Sequence, residues 1–182
     1  MGPPPHAIWS KGKICRWVDM IFVTVGNDFR SFDRLLRKMD EIAPRIPAEV
    51  VIQKGYSRYH PENVTHFDFV PMSEAIEYIK KSELVVSHAG IGTIILCMQY
   101  GIPLLILPRR KSYREHMNDH QMEIARSLEE RRSERIFVAY EADHLEEKIL
   151  SILKQKIVHA PIQNMGRENL IRTIKKFIDM TF

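Results

Sequence analysis

From Met20 onward the chain alternates short β-rich runs with amphipathic stretches, and this alternation restricts its fold more than any other feature. "IFVTVG" is β-rich and ends in glycine. "SFDRLLRKMDEIA" then places Phe32, Leu35, Leu36 and Met39 at helical spacing, with Ser31 as the expected N-cap. "AEVVIQKG" reads as a strand, "YSRYHPEN" as a polar loop, "THFDFV" as a short strand and "SEAIEYIKKS" as a helix. "ELVVSH" is a strand, "GTIILCMQYG" a helix and "PLLILPR" a buried strand. One long helix is expected over "REHMNDHQMEIARSLEERR", a last strand over "RIFVAYE", and closing helices over "ADHLEEKILSILKQK" and "RENLIRTIKKFIDM". Strands alternating with helices imply an α/β fold, a mostly parallel sheet with helices on both faces. Runs such as "LLIL" and "LVV" are apolar throughout, as strands buried on both faces should be.

The first nineteen residues, "MGPPPHAIWSKGKICRWVD", break the pattern, because three consecutive prolines block regular structure. Residues 1–19 are expected to be an extension outside the fold, and 20–182 one domain, a length that suits a single sizeable core. Cys15 and Cys97 lie far apart in neither a metal-like nor a redox-like spacing, and read as free thiols of a reducing compartment. The longest apolar region, "IILCMQYGIPLLILP", is interrupted by Gln99, Tyr100, Gly101 and Pro103 and is too short to span a bilayer. No signal-peptide pattern is present. A formal net charge of +4 suits an anionic ligand or a negative membrane face without requiring either.

In a sheet of this kind ligands bind at the carboxyl ends of the strands. "SHAGIGT" stands there, between a strand and a helix. Its glycines permit a sharp turn and a close approach, and the first helical amides point outward at the positive end of the helix dipole. A phosphate fits such a place, with the Thr93 hydroxyl as an added donor; a tight turn that binds nothing is the alternative. The loop lacks the lysine of a P-loop, has Ile95 where a dinucleotide fingerprint takes Gly or Ala, and fails the G-x-S-x-G pattern of a nucleophile elbow.

A second polar cluster, "PRRKSYREHMNDHQ", follows the next strand. Arg109, Arg110, Lys111 and Arg114 supply cations for phosphate. Glu115, His116, Asp119, His120 and Gln121 are expected at the start of the long helix, where a solvated acidic first turn is the ordinary reading. His116 and His120 stand four apart and could share a helix face as metal ligands, but no third ligand has a matching spacing, so no metal and no cofactor are expected.

The two clusters, with "IFVTVGNDFRSFDRLL", "VVIQKGYS", "ELVVSHAGIGTI", "GIPLLILPRR" and "EHMNDHQMEIA" in order, give the chain from Met20 to about Leu128 a family likeness. It resembles the C-terminal domain of glycosyltransferase family 28, above all the short stand-alone members. Those are the catalytic subunit of the eukaryotic two-part GlcNAc transferase and the PssE/EpsF-type exopolysaccharide subunits. The resemblance implies a Rossmann-like half of a GT-B fold that binds a UDP-sugar. Gly26 and Asn27 would face the interdomain cleft, and His88, Ala89, Gly90, Ile91, Gly92 and Thr93 would wrap the pyrophosphate. Gln53, Gly55, Tyr56 and Ser57 would line the base or cleft side, and His120 and Gln121 would contact the donor sugar. Leu96 departs from the family, since many relatives place there a glutamate that grips the ribose; the exopolysaccharide type is similar in lacking it.

The expected activity is an inverting, metal-independent transfer from a UDP-sugar to a lipid-linked acceptor, with loop amides and cations stabilising the leaving diphosphate. His88 is the catalytic candidate, as general base or as a positioning group; a base on the other half is the equal alternative. The expected partner is a membrane-anchored subunit that supplies the acceptor half and recruits a cytoplasmic chain to the membrane face. The competing expectation is a nucleotide-binding regulatory or adaptor module without chemistry. Nucleic acid is not an expected partner, because the basic residues after 131 are mixed with acids and no aromatic stripe accompanies them.

Overall fold

The computed structural model describes residues 20–130, 133–155 and 157. Six strands, β1 (Met20–Thr24), β2 (Glu49–Gln53), β3 (Thr65–Phe67), β4 (Leu84–Ser87), β5 (Leu104–Ile106) and β6 (Ile136–Val138), form one sheet in the order β3-β2-β1-β4-β5-β6. Every pairing is parallel. The five α-helices are α1 (Asp33–Ile42), α2 (Met72–Lys81), α3 (Ile91–Tyr100), α4 (His120–Glu130) and α5 (Leu145–Lys154).

Period-two side-chain alternation divides the strands between two cores. Ile21, Val23, Leu84, Val86 and Leu105 pack with Leu35, Leu36 and Met39 of α1 and with Ile149 and Ile152 of α5. Phe22, Val85, Leu104 and Ile106 pack on the other face with Ile79 of α2, Ile94 and Cys97 of α3, and Ile124 and Leu128 of α4. Burial pushes the Cys97 thiol well above its ordinary range, so it behaves as a small apolar residue. The sheet therefore agrees with the alternation of the sequence, with both faces covered.

Two local expectations change. α1 starts at Asp33, and its N-cap is Phe32 without a side-chain cap. Ser31 does not cap it, because the Ser31 hydroxyl is engaged by Asp33 and by the Arg58 amide; the Phe32 amide donates instead to Ser57 Oγ at 3.0 Å. The long helix starts at His120 rather than Arg114. A single 3₁₀ turn, Lys111–Tyr113, ends at Arg114 with φ 58°, a left-handed conformation that no helix can continue through. Asn118 Oδ1 and the Asp119 carbonyl then accept the first amides of α4. Residues 1–19, Cys15 included, and the expected helix over 167–180 lie outside the described residues.

Chain order runs β1, β2, β3 outward and then returns to β4 on the other side of β1. The switch point thus lies between the carboxyl ends of β1 and β4, where Thr24 pairs with Ser87.

Candidate functional site

Two glycine-bearing turns meet at that switch point. Ser87 Oγ donates to the Thr24 carbonyl at 2.8 Å, tying β4 to β1. Its only hydrogen is thereby engaged, so the 3.1 Å contact with His88 Nδ1 has the imidazole Nδ1–H donating to Oγ. His88 then carries its lone pair on Nε2. The ring is wedged between two glycines: a Cβ on Gly26 would lie 2.6 Å from His88 Cε1, and one on Gly90 2.2 Å from Nε2. Gly26 also has φ 71°. Enclosure, and secondarily the positive charge of Arg109, lower the His88 pKa to about 3, so the ring is neutral near pH 7. A group so weakly basic is better suited to orienting a ligand than to removing a proton.

Gly90 is the N-cap of α3 and no side chain caps that helix. Its carbonyl accepts the Ile94 amide at 3.1 Å. Among the described residues no hydrogen bond engages the amides of Ile91, Gly92 and Thr93. Gly92 is exposed, and a Cβ on it would meet nothing within 4 Å. Three free amides at a dipole's positive end, beside an open glycine, form a ready anion seat. Ala89 differs: its amide donates to Gln121 Oε1 at 3.2 Å, and the Arg109 amide reaches the same oxygen at 3.0 Å. Gln121, 6% exposed, therefore joins the glycine loop to the chain after β5.

The cation cluster is less available than its sequence indicates. Arg109 is fully buried. Its guanidinium donates to the carbonyls of Val25, Arg30, Ser31 and Glu115 and lies 4.7 Å from the Phe32 ring centre. It is a scaffold residue here and not a free phosphate cation. Glu115 is also buried, paired in a fork with Arg34 at 2.9 and 3.0 Å. Arg110 reaches the Tyr140 carbonyl and Glu141. Among the described residues no hydrogen bond or ion pair holds the side chains of Lys111 and Arg114.

The remaining expected residues separate in the same way. Asn27 is exposed beside Gly26. Gln53 is buried at the end of β2, and its carbonyl accepts the Val25 amide. Gly55, with φ 55°, fits tightly under Val25 and Gly26. Tyr56 is 58% exposed and meets Phe69 edge-on at 4.8 Å. Ser57 is buried with its hydroxyl engaged at α1, away from a cleft-facing role. Asp119 Oδ1 accepts the Lys111 amide. His116 is in the loop and His120 on α4, so they share no helix face; His120 Nδ1 faces Glu123. Among the described residues no three His, Cys, Asp or Glu side chains group as metal ligands.

Sequence reasoning missed Ser87, whose place next to His88 was the available signal, and Asp28. The Asp28 carboxylate lies in the β1–α1 loop, bonded to Arg30. Burial raises its pKa, but the Arg30 and Arg109 interactions prevail and hold it below the usual carboxylate range. Also missed was an apolar rim. Phe29, Tyr56, Phe69, Met72, Tyr113 and Met117, the exposed large apolar side chains of the described residues, all lie where the chain leaves strand carboxyl ends.

Comparison with known proteins accords with this geometry. Over 122 residues the chain is 30% identical to the UDP-N-acetylglucosamine transferase subunit ALG13 of Homo sapiens, covering 59% of this chain and 10% of that protein. It is 40% identical over 78 residues to the subunit of the same name from Cryptococcus neoformans, covering 42% and 36%. The chain thus spans a minor part of these relatives. Among solved structures, the kitacinnamycin glycotransferase matches with TM-score 0.60 at 17% identity, over 97% of this chain and 43% of that one. Acinetobacter baumannii MurG matches with TM-score 0.55 at 12% identity, over 81% and 44%. These structures support a shared Rossmann-like fold, the half of a GT-B architecture. The model of the glycosyltransferase family 28 C-terminal domain matches residues 20–179, and to that family this chain belongs.

Proposed function

We propose that this chain is the donor-binding, catalytic subunit of a two-part glycosyltransferase that moves a hexose from a UDP-sugar to a lipid-linked acceptor. The observation that carries the reading is the uncapped start of α3. Its Ile91, Gly92 and Thr93 amides are free, Gly92 opens to solvent, and His88 stands beside them at the switch point. In this reading the amides hold the diphosphate and stabilise the charge that develops as the bond to the sugar breaks. The acceptor hydroxyl attacks the anomeric carbon from the opposite face, with inversion and without a metal. Gly26, Asn27 and Tyr56 face the cleft, and His120 lies toward the sugar. His88 presents its Nε2 lone pair as an acceptor that orients the ligand, and the general base belongs to the other half.

The apolar rim around this end supports a second subunit docked over it, since aromatic and methionine side chains are typical of interface cores. In this reading the partner is membrane-anchored and recruits this chain to the cytoplasmic face; no helix among the described residues is long and apolar enough to cross a membrane. The test is titration of the purified chain with UDP, GDP and TDP sugars, followed by transfer assays with and without the co-expressed partner and with EDTA. UDP preference, partner-dependent transfer and indifference to EDTA are expected. Robust transfer to a lipid acceptor by the isolated chain would refute the split-enzyme reading, and loss of transfer in EDTA the metal-free one. The weak basicity of His88 also favours a second reading, a nucleotide-binding adaptor without chemistry; UDP binding with no turnover beside the partner would select it.

A further inference from the structure

The irregular loop between β2 and β3 is held from behind by two carboxylates of α1: Asp33 Oδ1 accepts the Tyr59 amide at 3.3 Å, and Asp40 holds the segment that follows. Asp40 is 2% exposed. Its oxygens accept the Tyr59 hydroxyl at 2.6 Å, the Glu62 amide at 3.0 and 3.1 Å, and the Asn63 amide at 2.7 Å. Asn63 Nδ2 donates to the Asp40 carbonyl at 3.3 Å. Among the described residues no cation pairs with Asp40. Desolvation alone would raise its pKa, yet the hydrogen bonds outweigh it and hold the group below the ordinary carboxylate value.

At the loop's other end the Gly55 amide donates a hydrogen bond to the Asp68 carbonyl at 3.0 Å, and the Ser57 amide donates to the Lys54 carbonyl. Tyr56 sits between these two anchors. Loop amides need acceptors, and those of Glu62 and Asn63 find theirs in Asp40. We propose that Asp40 is a positioning residue that locks the 56–63 loop and thereby fixes Tyr56, with Phe69, at the mouth of the nucleotide site. The proposal rests on the donor-binding reading above. Asp40 touches no ligand and acts through the loop.

Asp40→Asn tests it, because the amide keeps the shape but turns an NH₂ toward donors. In the full chain, exchange of the residue 56–63 amides should accelerate about tenfold while β1 and β4 stay protected, and the UDP dissociation constant should rise about tenfold. Tyr59→Phe, which removes one bond and keeps the ring, should weaken UDP two- to threefold, and it serves if Asp40→Asn does not fold. Ile149→Val lowers stability from the α5 core and should leave UDP affinity unchanged. Unaltered loop exchange in Asp40→Asn overturns the proposal. So does faster loop exchange with wild-type UDP affinity, or equal weakening by Ile149→Val. If the wild-type chain does not bind UDP, the donor-binding reading falls and takes this one with it; wild-type binding with an indifferent Asp40→Asn sinks the clamp alone.

Discussion

The loops that leave β1, β2 and β5 are fastened to one another, whereas the turn that leaves β4 is tied through Ala89 to Gln121 and then opens at the start of α3. Arg109 bonds four backbone carbonyls across two loops. Arg34 pairs with Glu115 and also reaches the Pro108 carbonyl. Ser57 accepts the Phe32 amide at the start of α1 from a neighbouring loop. The start of α3 has no comparable ties: Gly90 supplies no side-chain cap, and a Cβ on Gly92 would touch nothing. The difference separates two uses of polar groups. Those tied to several partners hold the walls in place, even though Arg34 and Arg109 each keep one buried nitrogen without an acceptor among the described residues, and the free amides that face solvent are the ones able to bind a ligand. A dense cationic sequence therefore marks the scaffold here, and two small residues mark the seat.

The sharpest way to break this comparison is Arg109→Met, which keeps length and removes the donors. Orphaning several buried carbonyls should cost roughly 3 kcal/mol or more of stability, read as a lower urea midpoint, with nucleotide affinity falling as the walls loosen. A variant of wild-type stability that loses only ligand binding would restore Arg109 as a phosphate cation and remove the distinction.

Gly92→Val addresses the open side. Its side chain would project into space that only a ligand occupies, so UDP affinity should fall at least tenfold, about 1.4 kcal/mol. Stability should stay within roughly 0.5 kcal/mol, since the backbone is ordinary helix. Gly90→Val is the poorer probe, because its Cβ would evict His88 whatever the ligand does. If Gly92→Val binds UDP like the wild type, the turn is structural only.

These two glycines also show what can be read from a sequence. Strand and helix periodicity is a local property, so the alternation reveals the sheet, its two buried faces and the place of the "SHAGIGT" turn. The partner of a charge is not local. Nothing near Arg109 in sequence says that its guanidinium will lie under Phe32 and meet Val25, 84 residues away. Arg114 in a left-handed turn likewise has no composition signal, which is why the polar and apolar pattern alone starts α4 at Arg114 and the structure at His120. Gly90 and Gly92 look alike as letters, and only packing shows that one makes room for a histidine and the other for solvent.

His88 lies on the boundary between the two regions, and acid should reveal it. Its folded pKa of about 3 is below the ordinary 6.5. Between those values the unfolded chain binds a proton that the folded ring refuses, so stability rises with pH across the window and is lost as pH falls. The slope from this one group is at most roughly 1.4 kcal/mol per pH unit. Above about pH 5 the window is clear of Asp28 and Asp40, whose values are lowered and whose losses begin only as pH nears their unfolded value of 3.8. His88→Asn retains a donor near Ser87 but does not titrate, and its urea midpoint should be flatter between pH 6.5 and about 5. An unchanged slope would mean that the imidazole is protonated in place and free to act as an acid or base.

The smallest effect belongs to Arg114, a cation of the same cluster as Arg109 with no partner among the described residues. Arg114→Gln keeps the strain of φ 58°, so the two chains differ only in charge and chain end. With no bond to lose, stability should shift by less than about 0.5 kcal/mol. If the free cations of the β5–α4 loop attract the diphosphate from solvent, UDP affinity should fall two- to threefold at low salt, about 0.5 kcal/mol, and the difference should vanish near 1 M salt, where screening is nearly complete over a few ångströms. A loss that persists at high salt would place Arg114 in direct contact with the ligand and make the β5–α4 loop part of the seat. A loss of stability instead would show that Arg114 is fastened as Arg109 is, and the division between wall and seat would have to be redrawn along that loop.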